Sequence, residues 1–223
     1  MSARPPSVPA LLADRRIVVV VRHDDAAVAE DIARAAADGG LRAVEITMSV
    51  PGAAALIAEL RASLASDVLV GAGTVLSAQQ LEAVLAADAQ FVVAPGLDRA
   101  IVQGCAAARV AVLPGALTPT EVTAARALGL DAVKLFPSDS VGPAHLRALR
   151  SVFADVAFVP TGGVTSANAA AWFDAGARAL GLAGEFDAAH RAGGTDAVRG
   201  LARQLREVYE TRDDTHFIQG APR

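Results

Sequence analysis

The chain has 223 residues, 53% hydrophobic, 4% aromatic and 20% charged, with a formal net charge of -4. This apolar fraction excludes a disordered chain, and the length suits one large domain. A pI near 5.5 argues against nucleic acid or an anionic membrane as partner, since both demand clustered Lys and Arg.

The elements are expected in this order. Residues 1–16 read as a proline-rich arm with a short helix over 8–14. Short, almost unbroken apolar runs then follow at 17–22, 43–47, 68–71, 91–94, 110–113, 132–136, 157–161 and 179–182. Such runs suit strands covered on both faces. Between them lie alanine-rich stretches with helical spacing, as where Ala27, Ala33 and Ala37 alternate with Glu30, Asp31 and Arg34. Gly39-Gly40, Gly129 and Gly176 fit helix C-caps, while Ser77, Thr118 with Pro119 and Glu121, and Thr165-Ser166 fit helix starts. Residues 211–223 lose the apolar period and read as a loose tail. With no linker in between, 1–223 is expected to be a single domain.

The longest purely aliphatic run, 17–21, is far too short to span a bilayer, and no signal-peptide pattern precedes it. The single cysteine, Cys105, cannot form an internal disulfide. A soluble cytoplasmic protein is expected. Eight strand–helix units predict an α/β fold, a (β/α)8 TIM barrel with a short N-terminal helix. The alternative is an open doubly wound sheet, but no complete Gly-x-Gly-x-x-Gly turn follows the first strand.

The twenty basic residues are nineteen arginines and one lysine, Lys134, which lies inside an expected strand. Alternation along 131–137 turns Val133 and Leu135 toward the helices and Ala132, Lys134 and Phe136 into the barrel. The same parity in 43–47 turns Ala43, Glu45 and Thr47 inward, which places Glu45 and Lys134 at similar depth near the mouth. Bare charges there are costly unless paired, so one reading is a structural ion pair. Arginine would serve that role at least as well, but it cannot deprotonate near neutral pH and attack a carbonyl. A sole interior lysine therefore points to a Schiff-base enzyme, with Glu45 as general acid and base. Arg22 closes the first strand with a fork suited to a carboxylate, and Thr47, Thr74 and Thr161 complete a polar rim at other strand ends. Gly162-Gly163 can present backbone N–H groups to an anion, where barrels often hold phosphate.

These residues stand in segments that resemble the 2-keto-3-deoxy-6-phosphogluconate / 4-hydroxy-2-oxoglutarate aldolase family of class I aldolases. The segments include Val44-Glu45-Ile46-Thr47, Gly71-Ala72-Gly73-Thr74-Val75, Ala94-Pro95, Leu113-Pro114-Gly115, Val133-Lys134-Leu135-Phe136-Pro137 and Pro160-Thr161-Gly162-Gly163-Val164. The resemblance implies a homotrimeric barrel needing neither cofactor nor metal. It also implies reversible cleavage of a 2-keto-3-deoxy sugar acid, foremost the 6-phosphogluconate form, to pyruvate and glyceraldehyde 3-phosphate. Carried over by position, Lys134 forms the Schiff base and Glu45 is the acid–base group. Arg22, Thr74, Pro95, Phe136 and Thr161 line the pocket, and Gly162, Gly163 and Gly184 meet the phosphate.

Two departures bear on specificity. Met48-Ser49-Val50-Pro51 lacks the arginine that some members carry there, so Ser49 stands at a specificity position. After the eighth strand the family's serine is absent, and Glu185 follows Gly184. A carboxylate turned toward the pocket would favour an unphosphorylated substrate; one turned to solvent would leave phosphate binding to glycine amides.

Rival readings fit less well. A metal-dependent aldolase needs clustered ligands, whereas His23, His145, His190 and His216 are scattered. A phosphosugar isomerase has no use for the lysine, and a non-catalytic sugar-acid binder has no use for an interior Lys–Glu pair. Trp172 and Cys105, on helical stretches, read as packing.

Overall fold

The computed structural model describes residues 4–210; the tail expected at 211–223, and His216 with it, lie outside the described residues. A short helix α1 (Val8–Leu11) leads into alternating strands and helices. These are β1 (Ile17–Val21), α2 (Ala26–Asp38), β2 (Ala43–Thr47), α3 (Ala53–Ser63), β3 (Leu69–Gly73), α4 (Ala78–Ala86), β4 (Phe91–Ala94) and α5 (Arg99–Ala108). The second half comprises β5 (Ala111–Ala116), α6 (Pro119–Ala127), β6 (Ala132–Leu135), α7 (Gly142–Val152), β7 (Ala157–Pro160), α8 (Ala169–Asp174), β8 (Leu180–Leu182) and α9 (Gly184–Leu205). All the strand pairings are parallel, in the order β7-β6-β5-β4-β3-β2-β1-β8. A parallel bridge between Thr161 and Gly181 joins the two ends and makes the sheet a (β/α)8 barrel, not an open doubly wound sheet.

Strand alternation sorts the core into two layers. Val19, Val44, Ile46, Val133 and Leu135 pack outward against the helices. Val18, Val20, Ala43, Phe91, Leu113, Ala132 and Val159 fill the interior, together with Val8 and Leu12 from the N-terminal segment. The expected arm is therefore a plug, and burying two aliphatic side chains in the barrel floor contributes roughly 1.5–3 kcal/mol each. Its helix is shorter than 8–14 because Leu12 already leaves helical geometry (ψ 21°).

Several boundaries moved. The apolar run at 110–113 extends in the structure as β5 to Ala116, although proline is ordinarily confined to strand edges and bulges. It continues through Pro114 because the strand changes partners there: Ala111 to Pro114 register with β4, while Gly115 and Ala116 register with β6. The caps at Ser77 and Thr118 form as expected, the latter as a reciprocal capping box with Glu121. Thr165-Ser166 does not start a helix; α8 begins at Ala169, and Ser166 has another partner.

Candidate active site

The C-terminal strand ends carry the polar side chains. Glu45 is only 3% exposed and Lys134 only 5%, and Lys134 Nζ lies 3.8 Å from Glu45 Oε1. That is just beyond hydrogen-bond reach, so a small movement of either chain allows proton exchange. Glu45 Oε1 is fully buried without a hydrogen-bond partner among the described residues. Leaving such an oxygen unsatisfied costs about 1–3 kcal/mol, and unsatisfied buried groups concentrate where function demands them. Space for the carboxylate comes from β3: a Cβ at Gly73 would overlap Glu45 Oε1, with the carboxyl carbon 2.5 Å away. Lys134 Nζ stands 5.2 Å from the Phe136 ring centroid, which gives the amine an apolar wall on one side.

Arg22, just past β1, is exposed and donates from Nη2 to Thr74 Oγ1 at 3.0 Å. Thr74 itself has φ 57°, a left-handed conformation that is strained for a β-branched residue and is held at the end of β3. Thr161 is buried, and a Cβ at Gly181 would collide with its side chain, so strand β8 is notched to admit it. Pro95 and Phe136 are half-buried at their strand ends. Gly162 and Gly163 adopt φ 93° and 67°, a conformation that glycine alone takes without strain. Gly184 opens α9, and Ser49 is exposed after β2.

Thr47 departs from its expected place on the rim. It has no exposed surface; its hydroxyl donates to the Val21 carbonyl at 3.0 Å and lies 2.8 Å from Ser49 Oγ. It ties β2 to β1 and seats Ser49, with no face left for a substrate. Glu185 does not turn to solvent. Its Oε2 accepts the Ser166 backbone N–H at 2.7 Å and its Oε1 the Ser166 hydroxyl at 2.8 Å, so it bridges the loops after β8 and β7.

One contributor escaped sequence reasoning. Ser138, fully buried after β6, donates its hydroxyl to the Leu135 carbonyl at 2.6 Å and accepts the Thr161 N–H at 3.0 Å. Its own N–H reaches the Thr161 carbonyl at 3.0 Å, and these bonds lock the end of the lysine strand to Thr161. A serine after Phe136-Pro137 gave the only hint.

The three described histidines have separate partners. His145 Nε2 lies 2.7 Å from the Leu117 carbonyl, His190 Nε2 3.5 Å from Asp31, and His23 Nε2 3.7 Å from Asp187. Among the described residues no three His, Cys, Asp or Glu side chains form a group able to hold a metal ion. No described helix is long and apolar enough to cross a membrane.

Known proteins resemble the chain over most of its length. Residues 8–201 match the family model described as KDPG and KHG aldolase. The 2-dehydro-3-deoxy-phosphogluconate aldolase of Treponema pallidum is 40% identical over 70% of this chain and 74% of its own. The 2-dehydro-3-deoxy-6-phosphogalactonate aldolase of Escherichia coli is 35% identical over 70% of this chain and 75% of its own. Among solved structures, KDPG aldolase from Legionella pneumophila, with pyruvate captured at low pH as a covalent carbinolamine, superposes with a TM-score of 0.80 at 26% identity. That match covers 88% of this chain and 97% of the other.

Proposed function

The chain belongs to the KDPG and KHG aldolase family, whose curated relatives are lyases, and from that premise we propose its substrate class and the residues that act on it. It reversibly cleaves a 2-keto-3-deoxy sugar acid to pyruvate and an aldehyde through a Schiff base on Lys134, without metal or organic cofactor. The carrying observation is the 3.8 Å approach of the chain's sole lysine to a buried carboxylate oxygen that has no hydrogen-bond partner among the described residues. The covalent carbinolamine of pyruvate in the Legionella relative supports the same chemistry here.

The steps follow from the placement. Lys134 Nζ, having passed a proton to Glu45, adds to the C2 carbonyl of the keto acid and forms a carbinolamine. Glu45 returns the proton to the departing hydroxyl, water leaves, and the iminium forms. The C4 hydroxyl proton then passes to Glu45, directly or through a water, while the C3–C4 bond breaks. Its electron pair flows into the iminium nitrogen and gives an enamine, and the aldehyde departs. Glu45 protonates the enamine at C3, and water hydrolyses the resulting iminium to release pyruvate and restore the amine. Arg22 and Thr74 hold the keto-acid carboxylate; their mutual hydrogen bond fixes the guanidinium before substrate arrives. Phe136 and Pro95 wall the pyruvyl methylene, and Thr161 faces the C4 end. Gly162, Gly163 and Gly184 border the distal end of the substrate. A homotrimer in the cytoplasm is the expected working form.

Borohydride reduction in the presence of pyruvate, followed by peptide mapping, tests the assignment. The wild type and Glu45→Gln should carry the adduct at residue 134, and Lys134→Arg should carry none. A wild-type protein that yields no adduct overturns the reading.

A further inference from the structure

We propose that the N-terminal segment belongs to the proton-transfer apparatus: Val8 and Leu12 are positioning residues that seal the barrel floor beneath Glu45 and keep water from its carboxylate on that side. The inference rests on the aldolase reading above, in which Glu45 carries the protons. It goes further by giving two aliphatic side chains at the N-terminal end of the barrel a part in setting the rate.

The interior of an eight-stranded barrel is normally filled by layers of bulky branched side chains. Here the interior residues that open β2, β5 and β6, and the one just before β8, are alanines: Ala43, Ala111, Ala132 and Ala179. Alanines are too short to meet across the barrel axis, so the base stays open unless another segment fills it. Val8 and Leu12 do so, at 5% and 3% exposure. What remains is a cavity of ≈ 10 Å³, bounded by Val8, Leu11 and Leu12 on one side and by Glu45 and Thr161 on the other. A water molecule needs at least about 10–15 Å³ and two to four polar partners. The other walls are apolar strand side chains and Gly181, and the Thr161 hydroxyl already donates to the Val159 carbonyl at 3.4 Å. The chamber is thus too small and too apolar for water, and it offers Glu45 no donor.

The seal is fixed in depth by hydrogen bonds to the bases of four strands. The Val8 N–H donates to Asp131 Oδ1 at 3.3 Å, just before β6. Arg178, just before β8, donates from Nη2 to the Leu12 carbonyl at 3.4 Å and the Ala13 carbonyl at 2.8 Å. Arg15 donates to the Leu11 carbonyl at 3.2 Å, to the Arg42 carbonyl before β2 at 3.2 Å and to the Asp67 carbonyl before β3 at 2.9 Å. A loosely docked arm would need no such anchoring. For the carboxylate the consequence is twofold. It has no room to sink away from Lys134, and no water arrives from the floor to compete with the substrate's proton. Shortening Leu12 removes both conditions. A water admitted there donates to the carboxylate, and one such bond weakens it as a proton acceptor by about tenfold.

The test is the rate of methyl-proton exchange at saturating pyruvate in deuterated water, per folded molecule, in the wild type, Leu12→Ala, Leu12→Met, Val8→Ala and Leu81→Ala. Leu81, on α4 and 5% exposed, belongs to the outer layer, so its truncation takes an equal side chain from the core without opening the floor. Leu12→Ala should exchange at least about tenfold more slowly while still carrying the borohydride-reducible adduct at Lys134. Val8→Ala should show a smaller loss in the same direction, and it carries the test if Leu12→Ala does not fold. Leu12→Met, which keeps the volume, should retain the wild-type rate, and Leu81→Ala should lose stability but not rate. Wild-type exchange in the floor variants, or an equal loss in Leu12→Met or Leu81→Ala, overturns the role of the floor and leaves the aldolase reading intact. A wild-type protein that exchanges no methyl protons overturns the aldolase reading, and this inference with it.

Discussion

Gly73→Ala asks whether the position of the Glu45 carboxylate, and not merely its presence, sets the rate. A Cβ built on residue 73 would overlap Glu45 Oε1 and lie 2.5 Å from Cδ and 2.6 Å from Cγ. Non-bonded carbons settle near ~3.5 Å, so the whole carboxyl group must retreat by about 1 Å. The alanine methyl has no rotamer with which to avoid it. A displacement of that size at a reacting group lowers turnover by about a hundredfold, and the overpacking lowers stability by about 1–3 kcal/mol. Gly71→Ala is the control. It lies two residues earlier on the same strand, and its Cβ would meet the Phe91 ring at 2.6 Å, with comparable crowding but no reacting group. Thermal melts fix the folded fraction of each variant, and pyruvate release measures turnover per folded molecule. The expected result is a similar loss of stability in both, with the large loss of turnover confined to Gly73→Ala. Wild-type turnover in Gly73→Ala, or an equal loss in Gly71→Ala, would refute the reasoning.

Other expectations follow from the same geometry. Lys134→Met leaves Glu45 buried without its cation and should destabilise the protein by about 3–5 kcal/mol, while the added Glu45→Gln change should recover much of that loss in chemical denaturation. Burial pushes the Cys105 thiol up to about 12, so iodoacetamide near about pH 8 should label the protein only after unfolding; labelling of the native state would contradict that placement. Thr118→Ala removes an N-cap and should cost about 1 kcal/mol. The Leu117 N–H and then the Thr118 hydroxyl hold the Glu121 carboxyl below its ordinary 4.5. A lowered carboxyl stabilises the fold fully above that value and loses the contribution as pH falls through its folded value. The melting-temperature gap between wild type and Glu121→Gln should therefore be constant above pH 4.5 and shrink in more acidic solution.

Much of this architecture is legible in the chain because period-two alternation and the sole lysine act locally. The parity that turns Lys134 inward is set by Val133 and Leu135, its own neighbours, and the parity of Glu45 by Val44 and Ile46; both pairs pack outward. What is not legible depends on partners distant in sequence. Ser166 has the composition of a helix start, yet its hydroxyl goes to a carboxylate 19 residues away. The Thr47 hydroxyl looks available for a ligand until strand β1 presents the Val21 carbonyl to it. The continuation of β5 past 113 is hidden too, since sequence cannot show that the strand exchanges one neighbour for another after Pro114. The burial of Val8 and Leu12 in the barrel floor follows from closure of the sheet, which no single segment encodes.

The most direct measurement is proton exchange at the methyl group of pyruvate in deuterated water, followed by NMR without any aldehyde. Exchange requires an amine to form the iminium and a base to carry the proton to and from the enamine, so it reads the Lys134–Glu45 pair independently of substrate identity. Wild-type protein should exchange the methyl protons, Lys134→Arg should not, and Glu45→Gln should form the reducible adduct yet exchange at least about a hundredfold more slowly. Exchange that survives in Lys134→Arg, or that proceeds undiminished in Glu45→Gln, would contradict the account.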